Sequence, residues 1–281
     1  MRTDVLEKHF NKMGASIEFE DKAARRRASR IRRNPPAPRI DVIPRGKTES
    51  FLLDVFDEDV DVQVLDVQPD LRHLLLMFRE KNERGQYDIS KFLCGHDERH
   101  WFVAAVPEEA AAKNVADAMA SLKPQIVIQS QKRKGVRRKN INKRKNKGYV
   151  RQGEWFFVPA PELQTDRNTV IYKNEPINRG ASMKPHICEE VVRQGGTLVY
   201  VERQFAPNGI TESEYKKLIA SKPEATSGFH HWTSMVRDAE VYARGYIKHP
   251  DHKTVYLDGW HRVLMNTESK ARAMRMVAFL D

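Results

Sequence analysis

The chain has 281 residues, a formal net charge of +11 and 40% hydrophobic residues, so it can bury a core while carrying a large excess of positive charge. Its two cysteines exclude a disulfide framework and a four-cysteine zinc site. The N-terminal residues lack the apolar core of a signal peptide, and no run approaches the ~18 apolar residues of a membrane span. We therefore expect a cytoplasmic protein that does not bind membranes.

The positive charge is concentrated in two runs that contain no acidic residue. Lys22 to Arg33 holds seven basic residues, and Lys132 to Lys147, KRKGVRRKNINKRKNK, holds ten. Together they hold 17 of the 49 basic residues, which leaves 32 basic against 38 acidic residues elsewhere. The body of the protein is therefore mildly acidic, and we interpret the two runs as flexible basic arms.

The first half of the chain is dominated by patterns of period two, which are typical of strands. A helix is predicted over residues 3–13, and a polar helix over 21–33 is ended by Pro35 and Pro36. A further helix is predicted over 107–122, with Pro107 in its first turn, and QIVIQ after it is predicted as a strand. The other predicted strands are 51–56, 60–67, 73–78, 91–94 and 100–106.

The second half mixes the same elements. Strands are predicted at 155–158, 169–172, 198–205, 240–249 and 253–266, and helices at 187–194 and 211–221. These patterns predict an α+β fold in which antiparallel sheets dominate. The predicted organisation is a basic N-terminal arm (1–38), an α+β domain (39–130), a basic loop or linker (131–148) and a β-rich region (149–281) that forms a second domain or continues the first.

Localised positive charge favours a polyanionic partner. We predict a nucleic-acid-binding protein that acts in a ribonucleoprotein or nucleic-acid-processing complex, where other proteins of the complex are further partners. RNA is preferred over DNA, because arginine-rich segments that become ordered on binding commonly grip folded RNA. A scaffold that docks on an acidic protein is another open interpretation. The residues expected to neutralise phosphates are Arg25, Arg26, Arg27, Arg30, Lys132, Arg133, Arg137, Arg138, Lys143 and Arg144.

A group of histidines supplies an alternative function. Six of the ten lie between positions 186 and 261, and His249-Pro250-Asp251-His252 is predicted to be a tight turn. Neutral imidazoles and a carboxylate can bind a divalent metal such as Zn²⁺ or Mn²⁺, or provide a general base and acid for phosphodiester chemistry. The alternative is thus a nuclease or phosphodiesterase. Its predicted catalytic residues are His249, Asp251, His252 and His261, and its predicted metal ligands are His249, His252 and His261. Because histidine and aspartate are also good turn residues, a purely structural role stays open.

Two further features of the sequence are open to both a structural and a functional interpretation. The segment from Cys94 to His100, CGHDERH, separates two predicted strands, and we interpret it as a charged hairpin turn with Cys94 buried. As an alternative, Cys94, His96 and His100 offer ligand chemistry, with Asp97 as a fourth ligand. The aromatic residues after the second basic run are interpreted as core, although exposed they would stack on unpaired bases. They are Tyr149, Trp155, Phe156 and Phe157.

Overall fold

The computed structural model describes residues 3–20, 39–55, 60–82, 84–178 and 184–271. The predicted α+β fold with mostly antiparallel sheets is confirmed. The predicted helix over 21–33 lies outside the described residues. No helix in the described ranges has both the length and the apolar character needed to cross a bilayer. The described helices are α1 (Thr3–Lys12), α2 (Val115–Ser121), α3 (Gln125–Arg133) and α4 (Glu212–Ser221).

The strands of the first half form two sheets. The order is β1-β3-β2 in a three-stranded sheet and β4-β5-β6-β7 in a four-stranded antiparallel meander. These strands are β1 (Ser16–Phe19), β2 (Arg39–Arg45), β3 (Thr48–Asp54), β4 (Val60–Gln68), β5 (His73–Lys81), β6 (Tyr87–Asp97) and β7 (His100–Val106).

The second half contributes a seven-stranded antiparallel sheet and a further small sheet. Their orders are β11-β12-β16-β17-β10-β9-β8 and β14-β13-β15. The strands are β8 (Lys145–Asn146), β9 (Tyr149–Gln152), β10 (Trp155–Pro159), β11 (Tyr172–Ile177), β12 (His186–Gln194), β13 (Thr197–Glu202), β14 (Ala206–Thr211), β15 (Thr233–Arg237), β16 (Glu240–Lys248) and β17 (Val255–Met265).

The four-stranded sheet is buried on both faces, which explains its continuous apolar runs. In β5, Leu74 and Leu76 pack into a core with α1 and the three-stranded sheet. Leu75, on the opposite face, packs against α2 through a second core that contains Val115 and Ala118. Because successive side chains of a strand point to opposite faces, a strand covered on both sides needs apolar residues at every position.

Residues 3–19 belong to this body rather than to an arm. Leu6 and Phe10 of α1 are buried, and Ile17 of β1 lies in the same core. Phe10 also makes an edge-on ring contact with Phe51 of β3, with ring centroids 5.0 Å apart. The predicted arm over 1–38 therefore differs from the structure, since residues 3–19 are packed helix and strand.

Two predicted elements have another secondary structure. QIVIQ belongs to helix α3, because Val127, Ser130 and Gln131 are its buried residues and share one helical face. Residues 187–194 belong to strand β12, not to a helix. A bulge between Cys188 and Glu190 shifts its register, so buried Cys188 and Val191 mimic a helical spacing.

Two predicted boundaries were also wrong. The helix predicted over 107–122 is limited to α2, where the Asn114 side chain accepts a hydrogen bond from Asp117 N and caps the first turn. The strand predicted at 169–172 lies instead at Tyr172–Ile177. By contrast, the helix predicted over 211–221 begins at Glu212, after a capping box formed by Thr211 and Glu214.

Core packing of the seven-stranded sheet gives a direct test of this architecture. Phe157 is fully buried on β10. We expect Phe157→Ala to lower the free energy of unfolding by about 3–5 kcal/mol, because it leaves a cavity in a packed core. Urea unfolding followed by circular dichroism measures the change. Phe229→Ala is the matched control: Phe229 is 91% exposed, so the loss there should stay within about 0.5 kcal/mol. Similar losses in both variants would contradict the described packing.

Candidate functional site

The second basic run is folded in the structure. We name residues 132–147 the basic loop. Lys132 and Arg133 form the last turn of α3, a 3₁₀ turn spans Arg138–Asn140, and β8 closes the loop. It therefore differs from the flexible arm expected from its composition.

Hydrogen bonds between uncharged groups hold the backbone of the basic loop in place. The Gln131 side chain donates from Nε2 to Ile141 O, and the Tyr149 hydroxyl donates to the same carbonyl. At the loop's C-terminal end, Asn146 Oδ1 accepts the Gly148 N–H, and Ser130 Oγ donates to Gly148 O. Because amides and hydroxyls make these bonds, most of the basic side chains are left to face solvent.

Lys123 is a charged anchor of the same loop. It is 6% exposed, and its Nζ donates to Ile141 O at 2.9 Å and to Asn142 Oδ1 at 2.6 Å. Burial, and secondarily the charge of Arg151, lowers the pKa of Lys123 to about 8. The loop conformation thus depends on a buried cation that donates to two of its polar groups.

Nine of the ten basic side chains of the loop are exposed. Within the described ranges, none of the nine forms an ion pair with a carboxylate. Held in one folded segment, they form a concentrated positive surface, which is the electrostatic footprint of a polyanion site. They are Lys132, Arg133, Lys134, Arg137, Arg138, Lys139, Lys143, Lys145 and Lys147.

Arg144 is the exception. Its guanidinium forms ion pairs with Asp97 and Glu98, the last residue of β6 and the first of the β6–β7 turn. Arg151 of β9 pairs with the same Asp97, 3.1 Å away. Arg144 was predicted to contact phosphate, but in the structure its charge is already compensated by protein carboxylates. Arg25, Arg26, Arg27 and Arg30, predicted for the same role, lie outside the described residues.

Beside this ion-pair network lies a cluster of three histidines. Ile187 of β12 pairs with Lys248 of β16, so His186 and His249 come next to each other at the end of these strands. The turn between β16 and β17 brings His252 next to these two histidines. The ring centroid of His186 lies 4.2 Å from the ring centroid of His249 and 5.5 Å from that of His252. One nitrogen from each of the three lies within 4.8 Å of the others.

The hydrogen bonds of His249 fix its protonation. Its Nε2 lies 3.0 Å from Lys184 O, which can only accept, and its Nδ1 lies 3.1 Å from Asp251 N, which can only donate. The Nε2 of His249 therefore carries the proton, and its Nδ1 carries the lone pair. Asp251 completes this turn by pairing with Lys184 Nζ at 3.0 Å.

Of the other two histidines, His186 is buried and His252 is half-buried, and both are incompletely hydrogen-bonded. Among the described residues, neither His186 Nε2 nor His252 Nδ1 has a hydrogen-bond partner. Burial is the main cause that lowers the pKa of His186 to about 3 and of His252 to about 4, and the neighbouring His249 adds to both shifts. Both imidazoles are therefore neutral at neutral pH and keep a lone pair available for a ligand.

The histidines line a cavity of about 340 Å³ between the two halves of the chain. One wall comes from the β6–β7 hairpin, and the other from the β9–β10 hairpin and the β16–β17 turn. The lining combines apolar side chains such as Phe102 and Val103 with a group of convergent polar and titratable side chains, which is typical of a binding site. Its titratable side chains include Asp97, His100, Lys123, Arg151, Glu154, Lys184, His186, His249, Asp251 and His252.

The predicted third histidine lies elsewhere. His261 is buried on β17, opposite Ala243 and Pro159, and its Nδ1 is 2.9 Å from Gly259 O. It lies six positions along the strand from Val255, where β17 begins, which is about 20 Å of extended chain. His186, not His261, joins His249 and His252. The sequence carried no local signal for His186, because only the β12–β16 pairing brings it there.

The charged hairpin interpretation of residues 94–100 agrees with the structure. Cys94 is fully buried in β6, and burial raises the pKa of its thiol. Asp97 and Glu98 both pair with Arg144, and Glu98 also lies near His252. Their position in a hairpin turn did not predict these contacts. The aromatic residues after the loop are core as interpreted: Tyr149, Phe156 and Phe157 are buried, and Trp155 is partly buried against them.

The buried charge of Lys123 predicts a pH dependence of stability. The pKa of Lys123 is about 8 in the folded protein, against about 10.4 when unfolded, so between these values the unfolded chain binds more protons. The free energy of unfolding should therefore rise with pH through this window. Relative to Lys123→Met, the wild type should gain about 2 kcal/mol between about pH 7 and about pH 10. Urea unfolding of both proteins gives the difference, and a pH-independent difference would contradict the buried cation.

Comparison of the chain with protein-family models, curated proteins and solved structures finds no significant match. What the site does therefore follows from its own chemistry: an exposed basic loop, an ion-pair network at its base and a cavity lined by three histidines.

Proposed function

We propose that the protein binds nucleic acid through the basic loop. The observation that supports this proposal is the set of nine exposed cations in one folded segment, without carboxylate partners in the described ranges. The rest of the chain has acidic residues in excess, yet within the described ranges none of them pairs with these nine cations. A polyanion replaces the missing partners and gains affinity by releasing its own counterions.

The fold of the loop supports the same proposal. Its backbone is held by Lys123, Gln131 and Asn146, so less conformational entropy is lost on binding than for a free tail. The proposed phosphate contacts are Lys132, Arg133, Arg137, Arg138 and Lys143. Arg144 is left out because Asp97 and Glu98 already pair with it.

RNA is the proposed preferred ligand, in the cytoplasm and within a complex that contains other proteins. The loop mixes arginine and lysine with Asn140, Asn142 and Asn146, and such segments follow the irregular backbone of folded RNA well. A DNA duplex offers the same phosphates, so both nucleic acids belong in the binding assay. An acidic protein partner is the competing occupant of this surface.

The binding assay compares a loop variant with a charge-matched control. Replacing Arg137, Arg138 and Lys139 by Gln removes three exposed cations. Fluorescence anisotropy with labelled RNA and DNA over a KCl series should show at least about a tenfold loss of affinity. The slope of log K against log[KCl] should fall by about 2, since each lost phosphate contact contributes ~0.7–0.9.

The control replaces three exposed cations outside the loop, Arg203, Lys217 and Lys248, by Gln. It changes the net charge equally, so general electrostatic attraction falls by the same amount. Equal affinity losses in both variants, or salt-independent binding by the wild type, would reject the loop as the site. Binding partners that survive nuclease treatment of a native pull-down would favour the acidic protein instead.

A second candidate function is a nuclease or phosphodiesterase. One observation favours it: Glu98 Oε1 pairs with Arg144 of the loop, while Glu98 Oε2 lies 3.9 Å from His252 Nδ1. A strand held on the loop would therefore pass close to the histidine cavity. End-labelled RNA and DNA incubated with the wild type and Mn²⁺ or Zn²⁺ should be cleaved, and His252→Ala should abolish cleavage. Intact substrate with the wild type would leave binding as the function.

A further inference from the structure

We propose that His186, His249 and His252 form a metal site that binds one divalent transition metal ion, with Zn²⁺ as the best fit. The first observation is their grouping: three imidazole nitrogens from three separate chain positions lie within 4.8 Å of one another. All three members of this group are histidines, so each one offers an imidazole nitrogen as the ligand atom. The inference concerns the cavity and does not depend on nucleic-acid binding.

The second observation is a buried nitrogen without a partner. His186 is only 3% exposed, and its Nε2 has no hydrogen-bond partner among the described residues. A buried polar atom without a partner lowers the stability of the fold, so native structures rarely keep one without a purpose. A metal ion would satisfy the lone pair of this neutral imidazole.

The third observation locates the ion. A methyl group added to Gly153 would lie 2.8 Å from His252 Nε2 and 3.2 Å from His186 Nε2, so both nitrogens border the same small space. Gly153 has φ +56, which a glycine adopts without strain. The turn between β9 and β10 therefore presents bare backbone where a side chain would block the two ring nitrogens.

The remaining adjustment is small. Zinc–nitrogen bonds of about 2.1 Å in a tetrahedron place the donor atoms about 3.4 Å apart. One nitrogen from each ring lies within 4.8 Å of the others, so side-chain movements of at most about 1.4 Å reach this spacing. His249 would supply Nδ1, which carries its lone pair, by releasing the hydrogen bond from Asp251 N.

The outer contacts are those of histidine metal ligands. Such ligands donate their second ring N–H to a carbonyl or carboxylate, which fixes the ring and raises its basicity. His249 Nε2 already donates to Lys184 O, 3.0 Å away. For His252 bound through Nε2, Glu98 Oε2 is a carboxylate 3.9 Å from Nδ1, too far for a hydrogen bond as it stands but close enough to accept one after a small side-chain movement; the same oxygen accepts the Lys253 N–H.

The donor set selects the class of metal. Three imidazoles favour Zn²⁺ and its transition-metal neighbours over Mg²⁺ and Ca²⁺, which prefer oxygen ligands. Three protein ligands also leave a fourth position for water or a substrate oxygen. In zinc proteins this is the pattern of catalytic sites, whereas structural sites have four protein ligands.

The test uses the untagged full chain, stripped with a chelator and dialysed against Zn²⁺ without nucleic acid. Metal analysis should give one equivalent per chain. Co²⁺ substituted at the site should show the visible absorption of tetrahedral nitrogen coordination. His186→Ala, His249→Ala and His252→Ala should each weaken Zn²⁺ binding by at least about 100-fold.

Two controls separate ligand loss from general effects. His231→Ala removes an exposed histidine, and His261→Asn removes the buried histidine of β17; both should keep full Zn²⁺ affinity. Gly153→Ala keeps all three ligands but should lower affinity by filling the space between them. A wild type that binds no Zn²⁺ and gives no Co²⁺ spectrum would overturn the proposal, even if variants misfold. Undiminished binding by a folded His252→Ala protein would overturn it as well.

Discussion

The geometry of the site depends on two adjacent carboxylates at the tip of the β6–β7 hairpin. Asp97 pairs with Arg144 and Arg151, and Glu98 pairs with Arg144 and accepts the Lys253 N–H. All three partners belong to the second half of the chain. Partly buried charges attract strongly but are costly to leave unpaired, so this network holds the hairpin tip in one position against the seven-stranded sheet.

That position relates the basic loop to the histidine cavity. Arg144 is the member of the loop that turns inward, and Glu98 stands between it and His252. The loop's other cations are free to point outward because neutral groups such as Gln131 and Asn146 hold the backbone. The basic loop thus uses one arginine for structure and keeps its other nine basic side chains exposed.

Sequence patterns predicted what depends on local chemistry. The strands at 60–67 and 73–78, the helix begun at Thr211 and the buried Phe157 follow from periodicity and capping. Strand β12 was predicted as a helix because its bulge breaks the alternation that identifies a strand. His186 and the paired state of Arg144 depend on contacts between distant segments, which periodicity does not encode. His261 was assigned to the cluster because its separation along β17 was underestimated.

The exposed cations of the loop have an energetic consequence for the protein alone. Nine like charges held close together repel one another, and a compact fold keeps them closer than an unfolded chain does. At physiological ionic strength, salt largely screens exposed charges that are more than about 8–10 Å apart. Salt therefore weakens the repulsion among these cations in the free protein. The same ions compete with a polyanion for the loop. Moderate salt should therefore stabilise the folded protein and at the same time weaken its complex with a polyanion. Ionic strength thus changes folding stability and binding affinity in opposite directions.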